Sequence, residues 1–203
     1  MDNNSTDQTA NIARSKGVRV IFESVNQISR ARNAGAKEAL GRNLIFVDAD
    51  TKIPFELLAL ALRKLEHEGY GGGGATLKFD SNQNQLFFGS FMPFFWSCIS
   101  QTMQLAAGSF IFCKKRLFLK VDGFSEKLFA AEELLFSSQI KKVCKKEKLK
   151  FEILTSYPVI TSSRKLSWFN PFQILLALMI PVFFPWSVRS KRWCSFWYRR
   201  PIE

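Results

Sequence analysis

Asn43-Leu44-Ile45-Phe46-Val47-Asp48-Ala49-Asp50 decides the reading of this chain: a short apolar run stops abruptly in two carboxylates one residue apart. In a parallel α/β sheet such runs are buried strands, and ligands gather beyond their carboxyl ends. Asp48 and Asp50 could then divide two tasks, one gripping a ribose hydroxyl and the other a divalent metal on a diphosphate. Hard cations such as Mg²⁺ or Mn²⁺ take one or two carboxylates plus phosphate oxygens. The plainer alternative is a strand end running into a turn, where Asp is common.

Working outward, the run has four companions. Upstream lies Ser29-Arg30-Ala31-Arg32-Asn33-Ala34-Gly35, and the chain opens on Asp2-Asn3-Asn4-Ser5-Thr6-Asp7-Gln8-Thr9. Downstream come Asp122-Gly123-Phe124 and then Ala131-Glu132-Glu133-Leu134-Leu135-Phe136-Ser137. In this order and spacing the blocks resemble the family-2 glycosyltransferases of GT-A fold. That family's pattern is D-x-x-S-x-D-x-T, A-R-N-x-G at a helix start, D-x-D at a strand end, a G-G-F turn and a final E-D pair. The resemblance covers about Asp2 to Arg164.

The resemblance implies an α/β, Rossmann-like nucleotide-diphospho-sugar transferase fold and an inverting transfer from a nucleotide-sugar donor to an acceptor hydroxyl by direct displacement. It places Asp2 and Arg32 on the nucleoside, Asp48 on the ribose and a Mn²⁺ or Mg²⁺ ion on Asp50. Glu133 falls at the general base, and Glu132 would orient the acceptor or the base. The E-D pair here reads Glu132-Glu133, one methylene longer at its second member. The acceptor stays open, with lipid-linked and glycan acceptors, as in cell-envelope polysaccharide synthesis, both compatible.

Aligned on the family, Met1 falls at the carboxyl end of the second strand. The expectation is an N-terminally truncated GT-A domain without the first strand and its nucleotide-binding loop. Val18–Phe22 and Leu44–Val47 would then expose unpaired backbone, and such edges invite self-association. The rival reading is a non-catalytic remnant, a membrane-associated binding or assembly module.

The remaining composition narrows the field. At 203 residues and 47% hydrophobic content the chain suits one α/β domain with an appendage. A net charge of +12 calls for an anionic partner: nucleic acid, acidic lipid headgroups or a phosphorylated substrate. No nucleic-acid recognition motif accompanies the charge, so no nucleic-acid partner is expected. The cluster Lys141, Lys142, Lys145, Lys146 and Lys148 reads as the solvated, dipole-complementing end of a helix. Cys98, Cys113, Cys144 and Cys194 are scattered, against a zinc site or disulfide framework and in favour of a reducing compartment. The first residues are polar and acidic, unlike a secretory leader. His67, the sole histidine, sits in a charged run and reads as a solvated helix face.

Periodicity and punctuation set the element expectations. Asp7 caps a helix over Gln8–Ser15 that Gly17 stops, and Val18–Phe22 reads as a strand. Gln27–Leu40 has helical spacing, and Leu44–Val47 is the next strand. Pro54 opens a helix to about Glu68 with Phe55, Leu58, Leu62 and Leu65 on one face. Gly71-Gly72-Gly73-Gly74 is read as a turn before a strand at Ala75–Phe79. The aromatic stretch Phe87–Gln104 is read as core, with a ledge for a lipid-like acceptor as the alternative. Gly108–Cys113 is a buried strand, Glu132 to about Lys148 an amphipathic helix with Phe136, Ile140, Val143 and Cys144 inward, and Phe151–Leu154 a short last strand. Thr161-Ser162-Ser163-Arg164-Lys165 fits either a diphosphate clamp, since Arg pairs well with phosphate, or a polar linker.

The domain expected over residues 1–165 is followed by a tail, 166–203, of membrane-associated helices. Leu166 to Val188, about 23 residues, carries no charge and is long enough to span a bilayer. Trp168 and Trp186 sit near its ends like interfacial anchors, but Pro171, Pro181 and Pro185 interrupt it. Arg189, Lys191, Arg192, Arg199 and Arg200 follow, interleaved with Trp193, Trp197 and Tyr198. A single span would put those cations on the far side, against the positive-inside tendency. A re-entrant or in-plane helical pair at the cytoplasmic face of a membrane is therefore preferred, with a buried core helix as the third option.

Overall fold

The computed structural model describes residues 1–80, 106, 108–164 and 168–198. Among the described residues five strands form one sheet in the order β1-β4-β3-β5-β2: β1 Asn43–Val47, β2 Thr51–Lys52, β3 Tyr70–Phe79, β4 Phe110–Lys114 and β5 Lys150–Thr161. Only β3 and β5 run parallel; β4 is antiparallel to both β1 and β3, and β2 is antiparallel to β5. The helices are α1 Thr9–Ser15, α2 Ile28–Glu38, α3 Phe55–His67, α4 Lys115–Lys120, α5 Glu132–Lys146, α6 Pro171–Phe183 and α7 Ser195–Tyr198, with a 3₁₀ turn at Pro185–Arg189.

Strand β4 shows how the sheet divides the core. Its side chains alternate, so Phe110 and Phe112 face one side and Ile111 and Cys113 the other. The first pair packs with Leu57, Ala61 and Leu65 of α3 and with Leu154 and Val159 of β5. The second pair joins Leu44, Leu117, Phe118, Phe124, Phe136, Ile140 and Cys144, beneath α4 and α5. Within that second layer Phe124 and Phe136 stack with ring centroids 4.2 Å apart. This aromatic floor holds the start of α5 against the sheet.

Several expectations need correction. The Gly71–Gly74 segment is no turn: it is the buried first half of β3, between β4 and β5. A Cβ on Gly73 would lie 2.6 Å from the Phe112 ring, and one on Gly74 would lie 2.6 Å from the Ala106 Cβ. Glycine is needed there because neighbouring groups occupy the space of a side chain. Helix α3 buries Leu57, Ala61 and Leu65, while Phe55 is exposed; the i, i+4, i+8 stripe of small and large residues outcompetes the larger Phe55. The strand expected at Phe151–Leu154 extends to Thr161, carried past Pro158 by a register shift against β3.

The region around Val18–Phe22 also differs. It makes one isolated parallel bridge, Asp2 to Phe22, rather than a strand, and Val18 and Phe22 are exposed. A strand needs a continuous partner, and here the pairing stops at two backbone hydrogen bonds, Asp2 N to Ile21 O and Glu23 N to Asp2 O. The quoted run itself is β1, but it is the sheet's edge, antiparallel to its neighbour and only partly buried, rather than an interior parallel strand. The aromatic stretch Phe87–Gln104 lies outside the described residues. Among the described residues no helix is long and apolar enough to cross a membrane.

Candidate active site

Arg32 is the centre of the site. Helix α2 carries it inward, where its guanidinium donates to the Asp48 carboxylate (3.0 Å), the Glu132 carboxylate (2.9 Å) and the Gly108 carbonyl (3.1 Å). One side chain thereby ties together α2, the carboxyl end of β1, the segment leading into β4 and the first residue of α5. The guanidinium carbon also lies 5.2 Å from the Phe124 ring centroid, a cation–π contact with the aromatic floor. Arg suits this place because its planar fork serves several acceptors and keeps its charge when buried. Burial works against that charge, but Asp48 and then Glu132 and Glu133 outweigh it and raise the Arg32 pKa.

The acidic pair opens α5. Glu132 is almost completely buried against Arg32; Glu133 is half-buried beside it. Burial, reinforced by the neighbouring Glu132 charge and opposed by Arg32, pushes the Glu133 carboxyl up to about 8. Burial also raises Glu132, with Arg32 pulling against it. The 2.9 Å contact makes Glu132 the member that keeps its charge, and Glu133 the one that holds a proton near neutral pH. Ala131, immediately before the pair, has φ +59°, a left-handed conformation that costs a non-glycine residue about 1 kcal/mol or more.

The loop before Ala131 is tied to α2 and to the residue ahead of it. Asn33, one residue after Arg32, clamps that loop: its amide donates to the Phe124 carbonyl (2.9 Å) and its carbonyl accepts from the Phe124 N–H (2.9 Å). Gly123, with φ +67°, lets the chain turn there; a Cβ would sit 2.6 Å from the Asn33 carbonyl oxygen. Buried Gln27 donates to the Glu126 and Leu128 carbonyls at 2.8 and 2.9 Å. Neither Asn33 nor Gln27 had been assigned a role from sequence. Asn33 lies inside the A-R-N block and was legible there; Gln27 carries no local signal, because its partners are about 100 residues away.

A second corner lies where β2 meets β5. Asp50 is exposed, and its backbone carbonyl accepts from Ser162 N–H (3.1 Å). Thr51 pairs with Thr161 across the β2–β5 ladder. Ser163 N–H donates to Asp80 at 2.7 Å, the leading cause of that carboxyl's lowered pKa. Exposed Arg164 follows, its guanidinium 5.9 Å from the Trp168 ring centroid. The Thr161–Ser162 backbone thus lies alongside Asp50 and Thr51, and Asp80 joins the corner through Ser163.

Asp2 has a third setting. It is buried, its carboxylate accepts from Ser5 N–H at 3.1 Å, and hydrogen bonds from Ser5 hold its pKa down. Its backbone bridges to the Ile21–Glu23 segment. Of the seven residues singled out, Arg32, Asp48 and Glu132 meet directly, Glu133 stands beside Glu132, Arg164 lies two residues beyond the Ser162 that bonds Asp50, and Asp2 is fixed by its own loop.

A family model, Glycosyl transferase family 2, matches residues 1–121. The chain belongs to this family. Its structural relatives agree on the GT-A α/β fold at low identity. A mannosyltransferase from Pyrobaculum calidifontis, PcManGT, solved with GDP-Man and Mn²⁺, superimposes with TM-score 0.61 at 14% identity, over 93% of this chain and 53% of that one. TarS 1-349 from S. aureus with UDP-GlcNAc gives TM-score 0.58 at 19% identity, over 92% and 55%. Glucosyl-3-phosphoglycerate synthase from Mycobacterium tuberculosis, with Mn²⁺, UDP-glucose and phosphoglyceric acid, gives 0.54 at 14%, over 96% and 67%. This family-2 chain thus spans about half the length of the first two. No curated protein matches it.

Among the described residues no cluster of three or more His, Cys, Asp or Glu side chains could hold an ion alone. Asp50, an exposed carboxylate beside a Ser-Ser-Arg segment, instead fits a cation that takes its other ligands from a diphosphate.

Proposed function

We propose that this chain transfers a sugar from a nucleotide-sugar donor to an acceptor hydroxyl, with inversion, at the cytoplasmic face of a membrane. The observation that carries the reading is the convergence of Asp48 and Glu132 on Arg32 beyond the carboxyl end of β1, with Glu133 next to Glu132. The domain is residues 1–165 and the membrane-associating tail 166–203.

Three demands define such a transfer: the leaving diphosphate must be neutralised, the acceptor hydroxyl must lose a proton, and the oxocarbenium-like centre must be held in line. Glu133 takes the proton in its ionised form. Its pKa of about 8 makes that carboxylate a stronger base than an ordinary one and leaves most copies protonated at pH 7, so transfer should rise as pH approaches 8. Glu132 is the positioning member, fixed by Arg32. Asp48 receives the ribose and Asp2 the nucleoside; Arg32, expected on the nucleoside as well, commits its guanidinium to Asp48 and Glu132 and orients them instead. Arg164 binds diphosphate oxygens. Asp50 would hold Mn²⁺ or Mg²⁺, which as a Lewis acid would stabilise the leaving diphosphate.

Calorimetry with a nucleoside diphosphate, with and without Mn²⁺, tests the donor half on wild type and Asp50→Asn. Metal-dependent binding should weaken roughly tenfold in the variant. Equal affinity in all four measurements removes Asp50 from the site. Glu133→Gln tests the acceptor half: transfer should fall by roughly 10² or more while donor affinity holds. If Glu132→Gln loses the rate and Glu133→Gln keeps it, the two roles are reversed.

A further inference from the structure

Beyond the site, α6 has an unusual surface. Phe172, Leu176, Met179 and Phe183 recur at i, i+4, i+7 and i+11, which puts all four on one helix face. That face is open: Phe172 is 71% exposed, Leu176 48% and Phe183 68%. Ile174, off that stripe, is buried. Exposed Phe184 and Trp186 (66%) follow the helix directly, their ring centroids 5.4 Å apart. Soluble surfaces seldom carry so continuous an apolar strip without a partner for it.

The charges that follow the strip in the chain point to the partner. In the described tail, residues 168–198, the only charged side chains are Arg189, Lys191 and Arg192, all exposed, with exposed Trp193 next to them. An apolar strip followed in the chain by exposed tryptophan and by cations without a carboxylate complements an anionic lipid interface, where apolar groups enter the acyl boundary and cations meet headgroup phosphates. Helix α6 has 13 residues, about 20 Å, against roughly 30 Å of bilayer hydrocarbon, so it lies in the interface and does not cross.

The same tail is fastened to the loop that leads into the acidic pair. The Val188 carbonyl accepts from Phe129 N–H at 2.6 Å, Tyr198 packs edge-on against Phe129 with centroids 6.0 Å apart, and Lys191 donates to the Asn26 carbonyl. Glu132 begins three residues after Phe129.

We infer that Phe172, Leu176, Met179, Phe183, Phe184 and Trp186, with Arg189 and Arg192, form a docking surface for an anionic bilayer, and that the 184–198 segment couples this surface to the Phe129–Glu132 loop. The inference deepens the membrane setting proposed above and needs no particular donor or acceptor.

Co-sedimentation of the full chain with phosphatidylglycerol-containing and pure phosphatidylcholine vesicles tests it, without nucleotide. Wild type should bind the anionic vesicles, more weakly at high salt and more weakly still to phosphatidylcholine. A Phe172→Ser, Phe183→Ser, Trp186→Ser variant should lose roughly tenfold or more in vesicle affinity, and Arg189→Glu with Arg192→Glu should remove the lipid-charge preference. Both variants alter exposed positions, and calorimetric nucleotide binding serves as the check that they remain folded. Should nucleotide binding be absent from every protein, thermal unfolding replaces it, so failure of the transferase reading stays separate from failure of this one. Hydrogen exchange at Phe129–Glu132 should slow when wild type meets anionic vesicles. Wild-type binding that survives the triple substitution overturns the docking surface. So does a lipid-free dimer that the triple substitution dissolves, since a second copy would then cover the strip. Unchanged exchange overturns the coupling.

Discussion

The two corners of the site are built on opposite principles. At Arg32, side chains meet side chains: a buried guanidinium holds Asp48 and nearly buried Glu132 in place. At Asp50, backbone does the holding: a carbonyl accepts from Ser162 N–H, and the carboxylate stays exposed. The first corner is preorganised, with its geometry fixed by contacts that leave little freedom. The second presents charge to solvent and leaves the final arrangement to what binds. Proton transfer depends on preorganised geometry; a diphosphate brings charge and ligands of its own. The contrast implies that stability is concentrated at one corner and adaptability at the other.

Breaking the Arg32 corner should therefore have the largest effect on stability. Arg32→Met leaves Glu132 buried without its cation, a situation that costs about 3–5 kcal/mol. Urea unfolding should show this loss, and the double variant Arg32→Met, Glu132→Gln should recover more than half of it, because the stranded charge is gone. A loss under about 1 kcal/mol for the single change would mean that the corner is not held by this pair.

The next effect is pH-dependent. A carboxyl raised from 4.5 to about 8 binds more protons folded than unfolded across that interval. Its contribution to stability is therefore fully present below about 4.5, falls as pH rises, and is lost above about 8. Glu133→Gln removes the ionisation, so its stability should decline less between pH 5 and 8 than that of wild type. The difference should reach roughly 2 kcal/mol at the alkaline end, after allowance for the water that reaches half-buried Glu133. Thermal unfolding across this interval reads it directly. Parallel curves would place Glu133 in an ordinary aqueous environment and dissolve the contrast between the corners.

The smallest effect belongs to the open corner. Asp50→Asn should change stability by no more than about 0.5 kcal/mol, since the residue is exposed and its backbone hydrogen bond survives the substitution. A loss above about 1 kcal/mol in urea would show that Asp50 supports the fold, and would weaken its assignment to an incoming ligand.

Much of this was legible in the chain because local rules and the fold agreed. The A-R-N block carries both Arg32, which joins the site, and Asn33, which clamps the Phe124 turn. Helix α2 begins one residue inside its expected start, and Glu132 opens α5 where the acidic first turn placed it. Where expectations failed, distant contacts had outvoted local preference. Four consecutive glycines have turn chemistry by themselves; Phe112 and Ala106 filling the space beside them make a central strand. Val18–Phe22 has strand composition, yet composition supplies no partner, and only one bridge forms.

The sequence by itself determined the family, the apolar run that becomes β1, the acidic pair at a helix start and the cationic, tryptophan-rich tail. These depend on residue identity and short spacing, which a chain carries wherever it goes. Only the tertiary structure decided that Arg32 bridges Asp48 and Glu132, that Asp50 sits beside Ser162 rather than within the Arg32 cluster's bonds, and that the tail fastens to Phe129. Each of these joins residues far apart in sequence, and one, Asp50, is parted from its near neighbour Asp48. Burial and charge pairing are properties of that assembled space: the same Glu133 is an ordinary carboxylate in an open chain and a proton carrier near neutral pH once Glu132 and the protein interior surround it.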